Sequence, residues 1–194
     1  MKAGVNVYTW EELENFVNNC HQCQLGFSRK NAVMGRGDHN ADIMFIAEAP
    51  GSKEDEAGIP FVGPAGQLFD QLLTDCGLTR DEIYITNILK CHPPGNRDPH
   101  EDEKEKCFNY LKYETYLLKP KIIVCLGRVA AQRLIDPGYR ITRQHGTWIE
   151  RKNCHLTAVY HPSALLRDPS KVEETRQDFH RIVRMRDELN KEAK

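Results

Sequence analysis

The chain has 194 residues, 40% of them hydrophobic and 28% charged, with a formal net charge of -1. This composition suits one folded domain spanning residues 1–194, with a sizeable core, and the near-neutral balance excludes any bulk-charge argument for a polyanion partner. No apolar run approaches the ~18 residues of a membrane span, and Met1 to Trp10 lacks the apolar stretch of a secretion signal, so the expected location is the cytoplasm.

Taken in order, Thr9-Trp10-Glu11-Glu12 reads as a capped helix start, with Leu13, Phe16 and Val17 as its stripe. That helix runs into Cys20-His21-Gln22-Cys23. A polar loop, Gly35-Arg36-Gly37-Asp38, precedes a short apolar run, Ile43 to Ala47, which reads as a buried strand. The strand ends in Glu48-Ala49-Pro50-Gly51, and an acidic loop follows. Phe61-Val62-Gly63-Pro64-Ala65-Gly66 then opens a helical pattern through Leu68, Phe69, Leu72 and Leu73, with Gly77 as its stop. A second strand spans Ile83 to Ile88 and exits through Lys90, Cys91 and His92 into the stiff loop Pro93-Pro94-Gly95-Asn96-Arg97. Residues 101–118 read as a helix stopped by Pro120. A third strand, Ile122 to Leu126, leads into Gly127-Arg128 and another helix. Thr147 to Glu150 and Leu156 to Tyr160 flank a polar turn at Arg151-Lys152-Asn153. The last strand feeds His161-Pro162-Ser163-Ala164-Leu165-Leu166-Arg167, and a long charged helix begins near Lys171.

Strands alternating with helices imply a parallel sheet covered on both faces. The expected fold is α/β: a three-layer α/β/α sandwich with a central, mainly parallel four-stranded sheet. In such a sheet Glu48, Asn87, Gly127 and His161 share one edge, because each follows the carboxyl end of a strand, where ligands of open α/β sheets bind. Charge is also uneven. Residues 119–152 carry eight basic side chains against two acidic ones, a local basic surface suited to phosphates, although a solvated helix face has the same composition.

Seven cysteines, an odd number, speak against a disulfide framework. Cys20 and Cys23 form a C-x2-C pair, Cys91 follows a strand exit and Cys107 lies in the next helix. A metal site and plain buried thiols both fit these positions; four thiolates could hold zinc or an iron–sulfur cluster, and the spacing does not choose between them. Cys76 and Cys125 read as plain buried thiols, and Cys154 has no assigned role.

The set Cys20-x2-Cys23, Ala47-Glu48-Ala49-Pro50-Gly51, Pro60-Phe61-Val62-Gly63, Thr86-Asn87, Lys90-Cys91, Cys107 and His161-Pro162-Ser163 resembles the family 4, iron–sulfur uracil-DNA glycosylases. The likeness runs from about Trp10 to Arg181, and Ala47 departs from the glycine often found there. A related subgroup that bonds covalently to DNA has a basic insertion ending in histidine. This chain lacks the insertion, so His100 is not expected to be a nucleophile.

The resemblance implies a DNA repair hydrolase of base excision repair. It would break the N-glycosidic bond of uracil in single- or double-stranded DNA as a monomer, near the nucleoid of a prokaryotic cell. It also implies a 4Fe–4S cluster on Cys20, Cys23, Cys91 and Cys107. Phe61 would stack on the flipped base, Asn87 would read its Watson–Crick edge, and Ala49 would offer its backbone N–H. His161 would stabilise the uracil anion, and Glu48, or Glu54 as second candidate, would position water or shield the pocket. Leu165 and Leu166 would form an apolar wedge, with Arg167 and the amides of Gly63 and Gly66 on phosphates. The alternative is a noncatalytic DNA-binding iron–sulfur module of the same superfamily. No replication partner is identified by the sequence.

Overall fold

Three five-residue runs, Ile43–Ala47, Ile83–Asn87 and Ile122–Leu126, are buried along their whole length, as strands covered on both faces must be. The computed structural model describes residues 9–152 and 154–192, so the turn expected at 151–153 lies partly outside the described residues. In chain order the elements are α1 (Trp10–Asn18), α2 (Leu25–Ser28), β1 (Arg36–Gly37), β2 (Ile43–Ala47), α3 (Ser52–Ala57), α4 (Pro64–Asp75), β3 (Ile83–Asn87) and α5 (Glu101–Leu118). Then come β4 (Ile122–Leu126), α6 (Arg128–Leu134), α7 (Ile141–Gln144), β5 (Ile149–Arg151), β6 (Cys154–Val159), α8 (Pro162–Arg167) and α9 (Val172–Glu192).

The sheet order among the described residues is β1-β3-β2-β4-β6-β5. The four central strands are parallel, as expected. The sheet nevertheless has six strands rather than four, because β1 and β5 add antiparallel edges to β3 and β6. A two-residue strand such as β1 has no periodicity to read. It exists because the Arg36 and Gly37 backbones find Ile85 and Tyr84 to pair with. The acidic segment after Gly51 is likewise a short helix rather than a loop. It starts where Glu54 reaches back to the Gly51 N–H at 3.1 Å and stops at left-handed Gly58.

Alternate side chains on each strand face opposite sides. Ile43, Phe45, Ile83, Ile85, Ile122 and Val124 pack with Phe69 and Leu72 of α4 and Phe179 and Ile182 of α9. Met44, Ile46, Tyr84, Ile123 and Cys125 pack with Leu111 of α5 and Ala130 and Ala131 of α6. Helices therefore flank the sheet on both faces. Register sets Ala47 opposite Asn87 and Leu126 opposite Val159, so the central strands end level and their exits open on one side. Among the described residues no helix is long and apolar enough to cross a membrane.

Candidate active site

The four strand exits border one cleft of about 610 Å³, which Glu48, Ala49, Phe61, Asn87, Gly127 and His161 all line. The edge expected from a parallel sheet is present. It collects residues more than a hundred positions apart.

His161 is the N-cap of α8. Its Nδ1 accepts the Ser163 N–H at 3.0 Å, with the Ser163 hydroxyl at 2.8 Å. A ring nitrogen that accepts an amide hydrogen cannot carry one itself, so the neutral ring holds its proton on Nε2. Burial, with the Arg167 charge in addition, pushes the imidazole down to about 4, so the ring is neutral near pH 7 and Nε2–H is the donor it can offer. The cap engages one end of the ring and leaves the other as a donor. Gly127 makes room for it: its φ is +89°, and a Cβ there would come within 2.9 Å of the His161 Cβ.

Asn87 is 2% exposed, and its side-chain oxygen is buried without a hydrogen-bond partner among the described residues. Native proteins pair almost all such atoms, so an orphan beside a cleft points to a donor that arrives with a ligand. Glu48 is half-buried. Burial raises its pKa, the Asp98 charge raises it further, and Arg128 and Lys104 partly offset this.

Phe61 lies 5.8 Å from the His161 ring, centroid to centroid, and 5.3 Å from Phe69. Its φ is +58°, a left-handed conformation that is an outlier for a bulky residue. Beneath it Gly66 packs so closely that a Cβ would come within 1.8 Å of the Phe61 carbonyl oxygen. Glu54 does not reach free into the cleft. Its Oε2 accepts the Gly51 N–H at 3.1 Å, and its Oε1 accepts those of Val62 and Gly63 at 3.0 and 2.9 Å.

Two expectations for DNA contacts change for physical reasons. The Gly63 N–H is held by Glu54, and that of Gly66 by the Gly63 carbonyl at 2.9 Å, so these amides are engaged inside the loop rather than open to phosphate. Leu165 is 1% exposed and belongs to the core, whereas Leu166 is 49% exposed. Adjacent helical residues point in different directions, and only Leu166 stands at the surface as a wedge would. Arg167 is exposed and lines the cleft.

Cys20, Cys23, Cys91 and Cys107 line one pocket, together with Lys90. Two N–H groups point at sulfur: Arg29 Nη1 to Cys91 Sγ at 3.1 Å, and the Lys90 amide to Cys107 Sγ at 3.2 Å. Among the described residues no three His, Cys, Asp or Glu side chains close to the spacing of a single metal ion. His100, exposed, starts α5 through its backbone N–H to Glu103 at 2.8 Å.

Sequence reasoning did not find the hub below Asn87. Lys90 and Glu114, 1% and 0% exposed, form an ion pair at 2.6 Å. The Lys90 ammonium also donates to the Asn87 carbonyl and to Thr86 Oγ1, both at 2.7 Å. Glu114 Oε1 further accepts from the Gly35 N–H, Tyr84 and Thr86 at 3.0–3.1 Å. The only sequence signal was a lysine between Asn87 and Cys91.

The sequence model of the Uracil DNA glycosylase superfamily matches residues 34–185, a span that holds Glu48, Phe61, Asn87 and His161 of this cleft. The chain is 44% identical to a type-4 uracil-DNA glycosylase of Archaeoglobus fulgidus over 89% of its own length and 92% of the relative. It is 40% identical to one from Sulfurisphaera tokodaii over 89% and 82%, and 39% identical to one from Pyrobaculum aerophilum over 87% and 90%. The chain belongs to the uracil-DNA glycosylase superfamily, in its type-4 family.

Proposed function

We propose that this protein removes uracil from DNA by hydrolysing the N-glycosidic bond, leaving an abasic site for base excision repair. The observation that carries the reading is the orphaned side-chain oxygen of Asn87 in a cleft shared with Phe61 and His161. Uracil N3–H is a donor that oxygen lacks, and the amide N–H2 donates to O4. Cytosine offers the reverse pattern and leaves buried polar groups unpaired, which makes rejection strong.

The target nucleotide leaves the stack and its base slides against Phe61, with the Ala49 amide beside it. The C1′–N1 bond breaks and its electron pair departs with the base. His161 Nε2–H stabilises the charge gathering on O2, an oxyanion-type role for a neutral imidazole. Water attacks the cationic sugar carbon. Glu48 faces the sugar as a carboxylate whose raised pKa makes it a better proton acceptor than a free one. Glu54 acts one step removed: its three backbone hydrogen bonds fix the Gly51 turn relative to the Phe61 loop. Leu166 fills the gap left in the duplex, and Arg167 holds a phosphate.

Cys20, Cys23, Cys91 and Cys107 hold a 4Fe–4S cluster in this reading. An all-thiol donor set bordering a common space, with N–H groups aimed at sulfur, suits a polynuclear cluster better than one ion. When bound, the cluster pins the 87–91 segment to α5 and the N-terminal helices. The protein acts as one domain and one copy on intracellular DNA.

The test is cleavage of a single-uracil oligonucleotide by protein purified without oxygen, with Asn87→Ala as control. Alkali-sensitive abasic sites from the wild type and far fewer from the variant are expected. A brown protein that binds the oligonucleotide and leaves its uracil in place would overturn the reading in favour of a noncatalytic module.

A further inference from the structure

The Phe61 loop presents an aromatic ring to the cleft from a backbone conformation that side chains disfavour. Such strain is costly and persists only where surroundings impose it. Glu54 grips the N–H groups after the ring. The carbonyls before and at the ring are gripped from elsewhere. Arg80, in the turn that opens β3, donates from Nη2 to the Phe61 carbonyl at 2.6 Å and from Nη1 to that of Pro60 at 3.2 Å. Its guanidinium is held in turn by Asp70 of α4, Nε to Oδ1 at 2.5 Å and Nη2 to Oδ2 at 3.2 Å. A planar fork that meets a carboxylate and two carbonyls together is geometry only arginine supplies.

We propose that Arg80, backed by Asp70, is a positioning residue for the base-stacking ring, so that base capture depends on a guanidinium outside the cleft lining. The proposal rests on the glycosylase reading above. Glu54 and Arg80 form a two-sided clamp, the carboxylate taking the donors of residues 62–63 and the guanidinium taking the acceptors of residues 60–61. Gly66 leaves the Phe61 carbonyl room to point toward Arg80 while the ring turns toward the base. A salt bridge that served stability alone would need only Asp70. The two carbonyl bonds are what tie it to the ring.

The experiment compares wild type, Arg80→Ala, Arg80→Lys and Asp70→Asn, each loaded with its cluster. It measures cleavage of a uracil oligonucleotide, inhibition by free uracil, and affinity for an oligonucleotide carrying a tetrahydrofuran abasic analogue. Base–aromatic stacking is worth about tenfold or more in affinity, so Arg80→Ala should lower kcat/KM and weaken free-uracil inhibition by about that factor. Affinity for the tetrahydrofuran DNA, which places no base in the pocket, should stay at the wild-type level. Lysine should not restore function, whereas millimolar guanidinium added to Arg80→Ala should. Wild-type-like cleavage and uracil inhibition in folded Arg80→Ala would overturn the proposal, as would an equal loss of tetrahydrofuran binding. If Arg80→Ala does not fold, Asp70→Asn must show the same split at smaller size, and its absence is decisive against. A wild type that binds the tetrahydrofuran DNA and cleaves no uracil would overturn the glycosylase reading as well, whereas losses confined to the variants leave that reading standing.

Discussion

Asn87 and Lys90 stand three residues apart on one strand exit, both almost fully buried, and their polar groups are treated in opposite ways. The Lys90 ammonium has Thr86, Asn87 and Glu114 for its three N–H groups. The Asn87 side-chain oxygen has no partner among the described residues. One is closed on itself and the other left open beside a cleft. The first arrangement holds the exit of β3 rigid. The second leaves, at a cost in stability, the acceptor that the proposed function assigns to the base. A pocket that discriminates by hydrogen bonding needs both, because an amide that can shift or flip reads nothing.

The contrast breaks most severely if one member of the buried pair is removed. Lys90→Met leaves Glu114 as an uncompensated buried charge and should destabilise the fold by about 3–5 kcal/mol, read as the urea midpoint of the loaded protein. A loss near zero would mean that the pair does not organise the β3 exit. On the open side, His161→Ala should lower single-turnover cleavage about 10²–10³-fold, the usual size for one oxyanion donor, with DNA affinity retained. Cleavage at the wild-type rate would remove His161 from the chemistry.

The sharpest test of the contrast is Asn87→Leu. An unsatisfied buried polar atom costs about 1–3 kcal/mol, so this variant should melt higher than wild type while losing uracil cleavage. A lower melting temperature would show that the oxygen is satisfied in solution. Acid titration gives a smaller effect. His161 sits below its ordinary value, at about 4, so its contribution is fully present above about pH 6.5 and is lost as pH falls through the folded value. Stability should therefore decline over that window, and His161→Gln should flatten the decline. An identical slope in the variant would contradict the burial described for the ring. Last and smallest, Leu166→Ala should slow cleavage of uracil in duplex DNA more than in single strands, since only a duplex leaves a gap to fill. Equal slowing on both would argue against the wedge.

Much of the fold was legible because it is written in short-range pattern. Ile43 to Ala47 and Ile122 to Leu126 are uninterrupted apolar runs, and the alternation of strands and helices fixes their parallel course. From that alone Glu48, Asn87, Gly127 and His161 fall on one edge. Contacts between side chains far apart in sequence were not legible. Glu114 finds Lys90 across 24 residues and Arg80 finds Phe61 across 19, and neither pairing leaves a local trace. Leu165 and Leu166 are equally apolar in sequence, and only the packing of α8 separates a core residue from a surface one. Nor does the sequence show that His161 caps α8 through Nδ1, the contact that fixes which ring nitrogen bears hydrogen.

The two edge strands, barely noticeable in the sequence, also bear on how this protein behaves at high concentration. A long exposed edge is a template onto which another chain can add. Here the outermost strands are two and three residues long and carry Arg36, Glu150 and Arg151, too short and too charged to propagate pairing. The four long parallel strands, rich in isoleucine and valine, are shut behind them. The sheet most prone to self-assembly in this chain is therefore kept from its neighbours in a crowded cell by a few residues of backbone at each margin.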